Sequence, residues 1–544
     1  MVLLRYFQQY TSISLRKIIL YAGIAGLSNA LILGVVNSAA AHASDGNGSN
    51  FWYLAMFLVT LAIYTLTQKH IFVVTTAEVE RIIHEYRVRQ INYIRLCDLD
   101  SIERIGRANI FANITRQPQV ISQTAGPLVL AVQSAILIFF TMIYLAILSI
   151  WAFYLAIVIM AFAIFIYLRK WGETNATIHK TIEEENKLFD GLTDAIDGFK
   201  ESRLHGRRSR DLTSYIDIVS NAVTRYKVEV DVQLSVLFIM AQATFYLLAA
   251  ALVFLLPAFG QTYSEELLKT TTIVLFIIGP VTSVVGVMSN MAAANAACEA
   301  MVEMEETLKG AATSPTATGE QLTDFQTLRF EGIVYEHHDR ANGISFRCGP
   351  CSFSVEKGEI LFISGGNGSG KSTLLMMMTG LYHPKEGAIY VDDQRIDASN
   401  LELLQSLYST VFFDFHLFPR LYGLGDVDLD RLDELLKLME LGQKVELKDG
   451  QFDTRALSSG QKKRLAMVIA LLEDRPIYVF DEWAADQDPE FRRKFYEVML
   501  PDLKASGKTI LAVTHDDRYF EECDGRIVME EGRIARIRGD AHVL

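Results

Sequence analysis

The chain has little cysteine, no excess of positive charge and, over long stretches, no charge at all, and each shortage removes a class of protein. Five cysteines in 544 residues, at positions 97, 298, 348, 351 and 523, are too few for a disulfide-stapled fold. Two of them spell Cys348-Gly-Pro-Cys351, the spacing of dithiol redox sites. A redox pair needs a helix N-terminus to lower a thiol pKa, whereas residues 344–355 alternate like two strand pieces about a Gly-Pro turn, so that reading is set aside. A formal charge of −13 argues against a nucleic-acid partner, which a basic face would have to meet.

Residues 18–44, 51–68, 117–168, 232–264 and 270–298 contain no Asp, Glu, Lys or Arg. A helix of about 20 apolar residues crosses a bilayer, so these are spans, and the third run holds two with a tight connection near Ser149. Six crossings result. Arg16 and Lys17 precede the first, but no cleavage pattern follows, so it is read as a retained span. The segment between the second and third spans carries Lys69, Arg81, Arg87, Arg89, Arg95, Arg104, Arg107 and Arg116. The segment after the fourth carries Arg169, Lys170, Lys180 and a cluster from Arg203 to Arg210. Connections 41–50 and 260–264 carry none, so both chain ends are expected in the cytoplasm.

In the two basic segments, Val79, Ile82, Ile83 and Tyr86, and later Leu188, Leu192 and Ile196, recur at helical spacing. The spans are therefore expected to continue as helices far beyond the membrane. The Arg207–Arg210 cluster also reads as a solvated group beside lipid headgroups. Gln133 and Gln242 inside the spans are expected to face a cavity or a neighbouring helix, and Pro127 and Gly279-Pro280 to interrupt their helices. Boundaries follow from composition: a six-span domain at 1–308, a polar linker at 309–326 and a soluble α/β domain at 327–544. The acidic run from Asp426 to Asp430 lacks the glycine and glutamate of a calcium loop and reads instead as an acidic helix start.

The soluble part carries the chemistry. An apolar strand at 361–364 runs into Gly365, Gly366, Asn367, Gly368, Ser369, Gly370, Lys371, Ser372 and Thr373, which fit G-x-x-x-x-G-K-[ST] without mismatch. Side chains are absent where backbone N–H groups must approach phosphate, Lys371 would reach the β- and γ-phosphates, and Ser372 would place its hydroxyl on Mg²⁺. Ile477-Tyr-Val-Phe480 ends in Asp481 and Glu482, a Walker B arrangement. Asp481 would hold the metal and Glu482 would polarise the attacking water. Leu511-Ala-Val-Thr-His515 brings a histidine to the same sheet edge.

Between these lies Leu457-Ser-Ser-Gly-Gln461, a second anion site at a helix start. With it the chain resembles an ATP-binding cassette (ABC) transporter, whose signature LSGGQ stands here as LSSGQ. The resemblance implies an ATPase coupled to transport, a homodimer of half-transporters, and two ATP molecules, each between the phosphate loop of one cassette and Ser458, Ser459, Gly460 and Gln461 of the other. It further implies Asp488 as the D-loop aspartate, His515 as the switch histidine, and an adenine-stacking side chain at His337, with Tyr335 packed inward. Phe413 stands where the family has its Q-loop glutamine, and Asp414 beside it is the candidate to take over the metal contact. The run from Phe413 to Phe418 and that from Asp197 to Leu204 are similar to bacterial exporters of cyclic peptides and peptide siderophores, including the pyoverdine-precursor type. The implied protein is a multi-pass inner-membrane exporter of a peptide-like substrate, with an all-α six-helix domain fused to an α/β P-loop NTPase. Import of a siderophore, broader efflux and a non-transporting ATP sensor remain as alternatives.

Overall fold

The computed structural model describes residues 2–12, 15–44, 51–254, 264–312, 321–338, 345–425, 427–442, 444–448, 450–453 and 457–539. Residues 313–320 of the expected linker, 45–50 and 260–263 of the two connections without Lys or Arg, and Asp426 lie outside them. Two compact units make up the chain: Met1–Ile91 with Arg107–Thr307, and Asn92–Gly106 with Leu308–Leu544.

The helices begin with α1 (Val2–Tyr10), α2 (Leu15–Ser44), α3 (Phe51–Leu96), the short α4 (Leu99–Ile105) and α5 (Arg107–Leu148). They continue with α6 (Ile150–Asp197), the short α7 (Phe199–Leu204), α8 (Gly206–Phe254) and α9 (Ser264–Ala311). Among the described residues, α2, α3, α5, α6, α8 and α9 are the six helices long and apolar enough to cross a membrane. Only Ser149 separates α5 from α6; it caps α6 through its side chain, which accepts from Ala152 N. Leu145, Ala152 and Ala156 pack there with Phe245, Leu252, Ile273 and Ile277. The stripe Val79, Ile82, Ile83 and Tyr86 is buried against α1, α5 and α9.

Pro118 and Pro127 lie inside α5 and Pro280 inside α9, and both helices run through them. The expected interruptions are thus corrected: α5 and α9 are continuous helix at Pro127 and Pro280. Gln133 is buried on α5, and Gln242 donates to Tyr246 Oη at 3.3 Å.

The second unit opens with β1 (Thr327–His338), β2 (Ser345–Glu356), β3 (Ile360–Gly365), α10 (Lys371–Met378), β4 (Glu386–Val391), β5 (Gln394–Ile396), α11 (Leu401–Gln405) and β6 (Tyr408–Val411). It goes on through α12 (Leu429–Leu438), β7 (Leu447–Lys448), β8 (Gln451–Phe452), α13 (Ser459–Glu473), β9 (Ile477–Asp481), α14 (Pro489–Lys494), α15 (Leu500–Ala505), β10 (Thr509–Val513), β11 (Gly525–Glu530) and β12 (Arg533–Gly539). One sheet has the order β12-β11-β3-β10-β9-β6, parallel except at β12. An antiparallel sheet, β2-β1-β4-β5, covers it. β3, β9 and β10 are continuous runs of buried residues, as strands covered on both faces must be. Their adjacency brings the ends of all three to one edge.

Asp428 caps α12, accepting from Asp430 and Arg431 N–H groups, in keeping with an acidic helix start. Cys348 and Cys351 are buried on the single strand β2 rather than at a helix N-terminus. The thiol–thiol hydrogen bond and burial push Cys348 up, away from a reactive thiolate.

Candidate functional site

The strand-to-helix turn from β3 to α10 is shaped by glycines where no other residue fits. Gly365 and Gly370 take φ of +148° and +98°; a Cβ on Gly365 would collide with Met529 O, and one on Gly370 would lie 3.3 Å from Cys348 Sγ and Phe346 Cζ. Gly368 also has positive φ, and Gly366 has open space around it. The loop curls about a cavity of about 290 Å³ lined by Phe346, Gly368, Ser369, Gly370, Lys371, Ser372 and Thr373. Lys371 is nearly buried, and its Nζ donates to Gly365 O and Gly366 O at 3.2 and 2.9 Å. Its ammonium is held at the loop rather than in solvent.

Asp481, at the end of β9, is 3% exposed. Burial pushes its carboxyl above the usual range; the Phe413 N–H pulls the other way, Glu482 and Asp414 add to the rise, and Lys371 opposes it. A buried carboxylate within reach of other negative charges gains from a divalent cation, and the Asp481 carboxylate and the Ser372 hydroxyl are oxygen donors of the kind Mg²⁺ takes. Asp414 is exposed, close enough for its charge to act on Asp481, while the backbone at Phe413 makes the direct hydrogen bond.

Glu482 sits just past the strand with φ of 48°, a conformation that costs a non-glycine residue roughly 1 kcal/mol or more. Its N–H donates to Val513 O at 3.1 Å, and its Oε1 lies 3.1 Å from His515 Nε2. Neighbouring strand ends thus place an acid and an imidazole in contact, an arrangement able to orient and deprotonate a water.

Ser458 caps α13 in a reciprocal box: its Oγ accepts from Gln461 N at 3.3 Å, and Gln461 Oε1 accepts from Ser458 N at 3.1 Å. Ser458 and Ser459 are exposed, and Gly460 packs beneath Asp486 O and Gln487. None of Leu457-Ser-Ser-Gly-Gln461 lines the phosphate cavity of its own chain. Asp488 caps α14, accepting from Phe491 N at 2.9 Å, and pairs with Arg464 at 2.6 Å. The Phe491 N–H and the Arg464 charge hold its carboxyl below the usual range.

His337 is exposed and stands opposite Phe346 in the β1–β2 ladder; of the two, Phe346 lines the cavity. Phe346 escaped the sequence reading, since only the hairpin register reveals it. Tyr335 is packed inward, stacked on Tyr382 with centroids 4.5 Å apart. These two rings form the seat of α4: Tyr382 Oη donates to Glu103 Oε2 at 3.0 Å, and Tyr335 hydrogen-bonds Asp100. In the helical unit, an apolar cavity of about 590 Å³ is lined by residues including Ile138, Phe162, Tyr167, Leu237, Thr244 and Val281.

Set beside known proteins, residues 348–485 match the family profile described as ABC transporter. The chain is similar to the ATP-binding protein SyrD of Pseudomonas syringae pv. syringae, 32% identical over 525 residues, which is 94% of this chain and 92% of that protein. It is also similar to the glutamate/aspartate import ATP-binding protein GltL of Escherichia coli (strain K12), 33% identical over 197 residues, 34% of this chain and 81% of that protein. The solved structure of a bacterial Atm1-family ABC exporter with ATP bound shares the fold at a TM-score of 0.78 and 18% identity, covering 97% of this chain and 96% of that one. The fold class expected from the sequence, six spans fused to a P-loop cassette, is borne out.

Proposed function

We propose, for a chain that belongs to the ABC transporter family, that ATP drives the export of a peptide-like substrate through a homodimer. That the protein is a multi-pass membrane ATPase coupled to transport follows from family membership and the six spans. The observation that carries the finer reading is the union, in one chain, of six spans and one cassette along the whole length of an exporter fold. The likeness of Phe413–Phe418 and Asp197–Leu204 to exporters of cyclic peptides and siderophore precursors supports the cargo class. The apolar cavity of the helical unit suits the nonpolar side chains of such a cargo.

In this reading the protein lies in a bacterial inner membrane with both ends and the cassette in the cytoplasm, as the Lys and Arg bias indicates. The glycine-lined loop and Lys371 bind the phosphates, with Asn367, Ser369 and Thr373 completing the loop, and Ser372 and Asp481 hold Mg²⁺, aided by Asp414. A divalent ion held there would supply positive charge to offset the negative charge on the phosphates. Glu482 takes a proton from the attacking water, and His515 orients Glu482 and meets the γ-phosphate. Phe346, or His337 across the ladder, flanks the adenine. Ser458, Ser459, Gly460 and Gln461, with Asp488 nearby, close on the nucleotide of the second copy. Support for that second copy comes from Leu192, Ile196, Phe199 and Leu204, an apolar stripe 45 to 81% exposed in one chain on α6 and α7.

Inside-out vesicles test direction and cargo together. ATP-dependent accumulation of a labelled cyclic peptide is expected, blocked by Lys371→Ala; uptake only in right-side-out vesicles would establish import instead. The seat of α4 gives a second expectation. Tyr335→Phe with Tyr382→Phe removes two hydrogen bonds to carboxylates, each worth about 1.5 kcal/mol, so cargo accumulation should fall about fivefold or more. Basal ATP hydrolysis should stay within about twofold, because neither ring touches the phosphate cavity. Equal losses of both activities would count against a transmission role.

A further inference from the structure

Lys463 is a buried cation that the reaction described above does not use. It sits in the first turns of α13, two residues past the signature, with its side chain 3% exposed. Its ammonium is held by two oxygens beside an aromatic face. Nζ donates to Glu482 O at 3.1 Å, pairs with Asp486 Oδ2 at 2.8 Å, and lies 5.0 Å from the centroid of the Phe413 ring. The carbonyl and the carboxylate take two of the three donors, and the aromatic face lies beside the charge. From the other side, Trp483 Nε1 donates to Lys463 O at 2.9 Å, so the backbone is pinned as well as the side chain.

The partners come from two separate segments, the β9–α14 connection and the stretch after β6. Glu482 follows β9, Asp486 lies in the turn before α14, and Phe413 follows β6. Glu482 is also the residue that most needs holding. Its left-handed backbone is unfavourable for a side chain of its size, and its aim at His515 depends on that backbone. Its N–H is tied to Val513 O, and its C=O is tied to Lys463.

We propose that Lys463 is a positioning residue for ATP hydrolysis, fixing the backbone of Glu482 and linking it to Asp486 and to the signature helix. A shift of α13, when its exposed end meets a nucleotide, is thereby passed directly to the general base of the same chain. The proposal rests on the reading of Glu482 as that base.

The test uses the full-length protein in lipid nanodiscs, with kcat and KM for ATP measured separately. Lys463→Met removes the donors without leaving a buried charge unpaired. It should lower kcat about 10- to 100-fold, the scale of a small misplacement of a reacting group, with KM within about twofold. Asp486→Ala should lower kcat less, and in the Lys463→Met background it should add nothing, because it acts through the ammonium. Lys463→Arg, which can still donate, should recover part of kcat. A kcat within about twofold of wild type for Lys463→Met, a rise in KM matching the fall in kcat, or additive effects of the two substitutions would each overturn the proposal. If Lys463→Met does not fold, Asp486→Asn decides alone, since that side chain is 45% exposed and its amide oxygen still accepts from the buried ammonium while the ion pair is lost; an unchanged kcat then overturns the proposal. Glu482→Gln, measured alongside, separates the two failures: if it is inactive while Lys463→Met is normal, the base stands and the positioning role falls.

Discussion

Glu482→Gln should bring ATP turnover down by about 100-fold or more, while ATP affinity changes only a few-fold. The substitution keeps the size and hydrogen-bonding reach of the side chain, so the contact with His515 Nε2, 3.1 Å away, can persist through the amide oxygen. What is lost is the acceptor for a proton. Binding groups are untouched, because the loop from Gly365 to Thr373 and Lys371 belong to a different strand end. The variant should therefore accumulate with nucleotide bound and its cassettes paired, visible as a shortened distance between labels on the two cassettes of the dimer on ATP addition. Normal turnover would remove Glu482 from the chemistry, and loss of ATP binding would mean that its role is structural.

The second large effect concerns which copy completes the site. Lys371→Ala disables a phosphate loop, and Ser459→Glu places a carboxylate at the exposed start of α13. A negative charge there is favourable for the helix itself, so the fold should survive while a facing triphosphate is repelled. Each variant alone should be nearly inactive. Co-reconstituted in equal amounts, they should recover about a quarter of wild-type turnover, because half of randomly formed dimers are mixed and each mixed dimer keeps one site free of both lesions. If each chain closed its own site, the mixture would be as inactive as its parts.

How much of this was legible beforehand depended on whether chemistry and chain direction coincide. The phosphate loop could be read because spacing, residue type and flanking strand all lie within residues 361–373. Glu482 and His515 could be read because apolar strands ending in polar residues announce a sheet edge, and β9 and β10 are indeed neighbours there. Phe346 could not: its place at the cavity depends on pairing opposite His337, and hairpin register is set by the fold rather than by alternation alone. Lys463 was hidden for a different reason. A lysine in a helix reads as solvated, and only the turn carrying Asp486, together with the Phe413 ring from another segment, makes its burial tolerable. The prolines erred in the opposite direction. Local propensity argues for a break at Pro127 and Pro280, yet long helices packed on neighbours carry them intact.

The junction at Ser149 limits how the helical unit can change shape. Ser149 N donates to Leu145 O at 2.9 Å and Phe153 N donates to Ser149 O at 3.1 Å, so hydrogen bonding crosses the corner without a slack residue. The two rods meeting there are yoked like the arms of a closed tweezer with no spring. Under the proposed export, a gap at that end would open along some other seam, because these two helix ends stay joined.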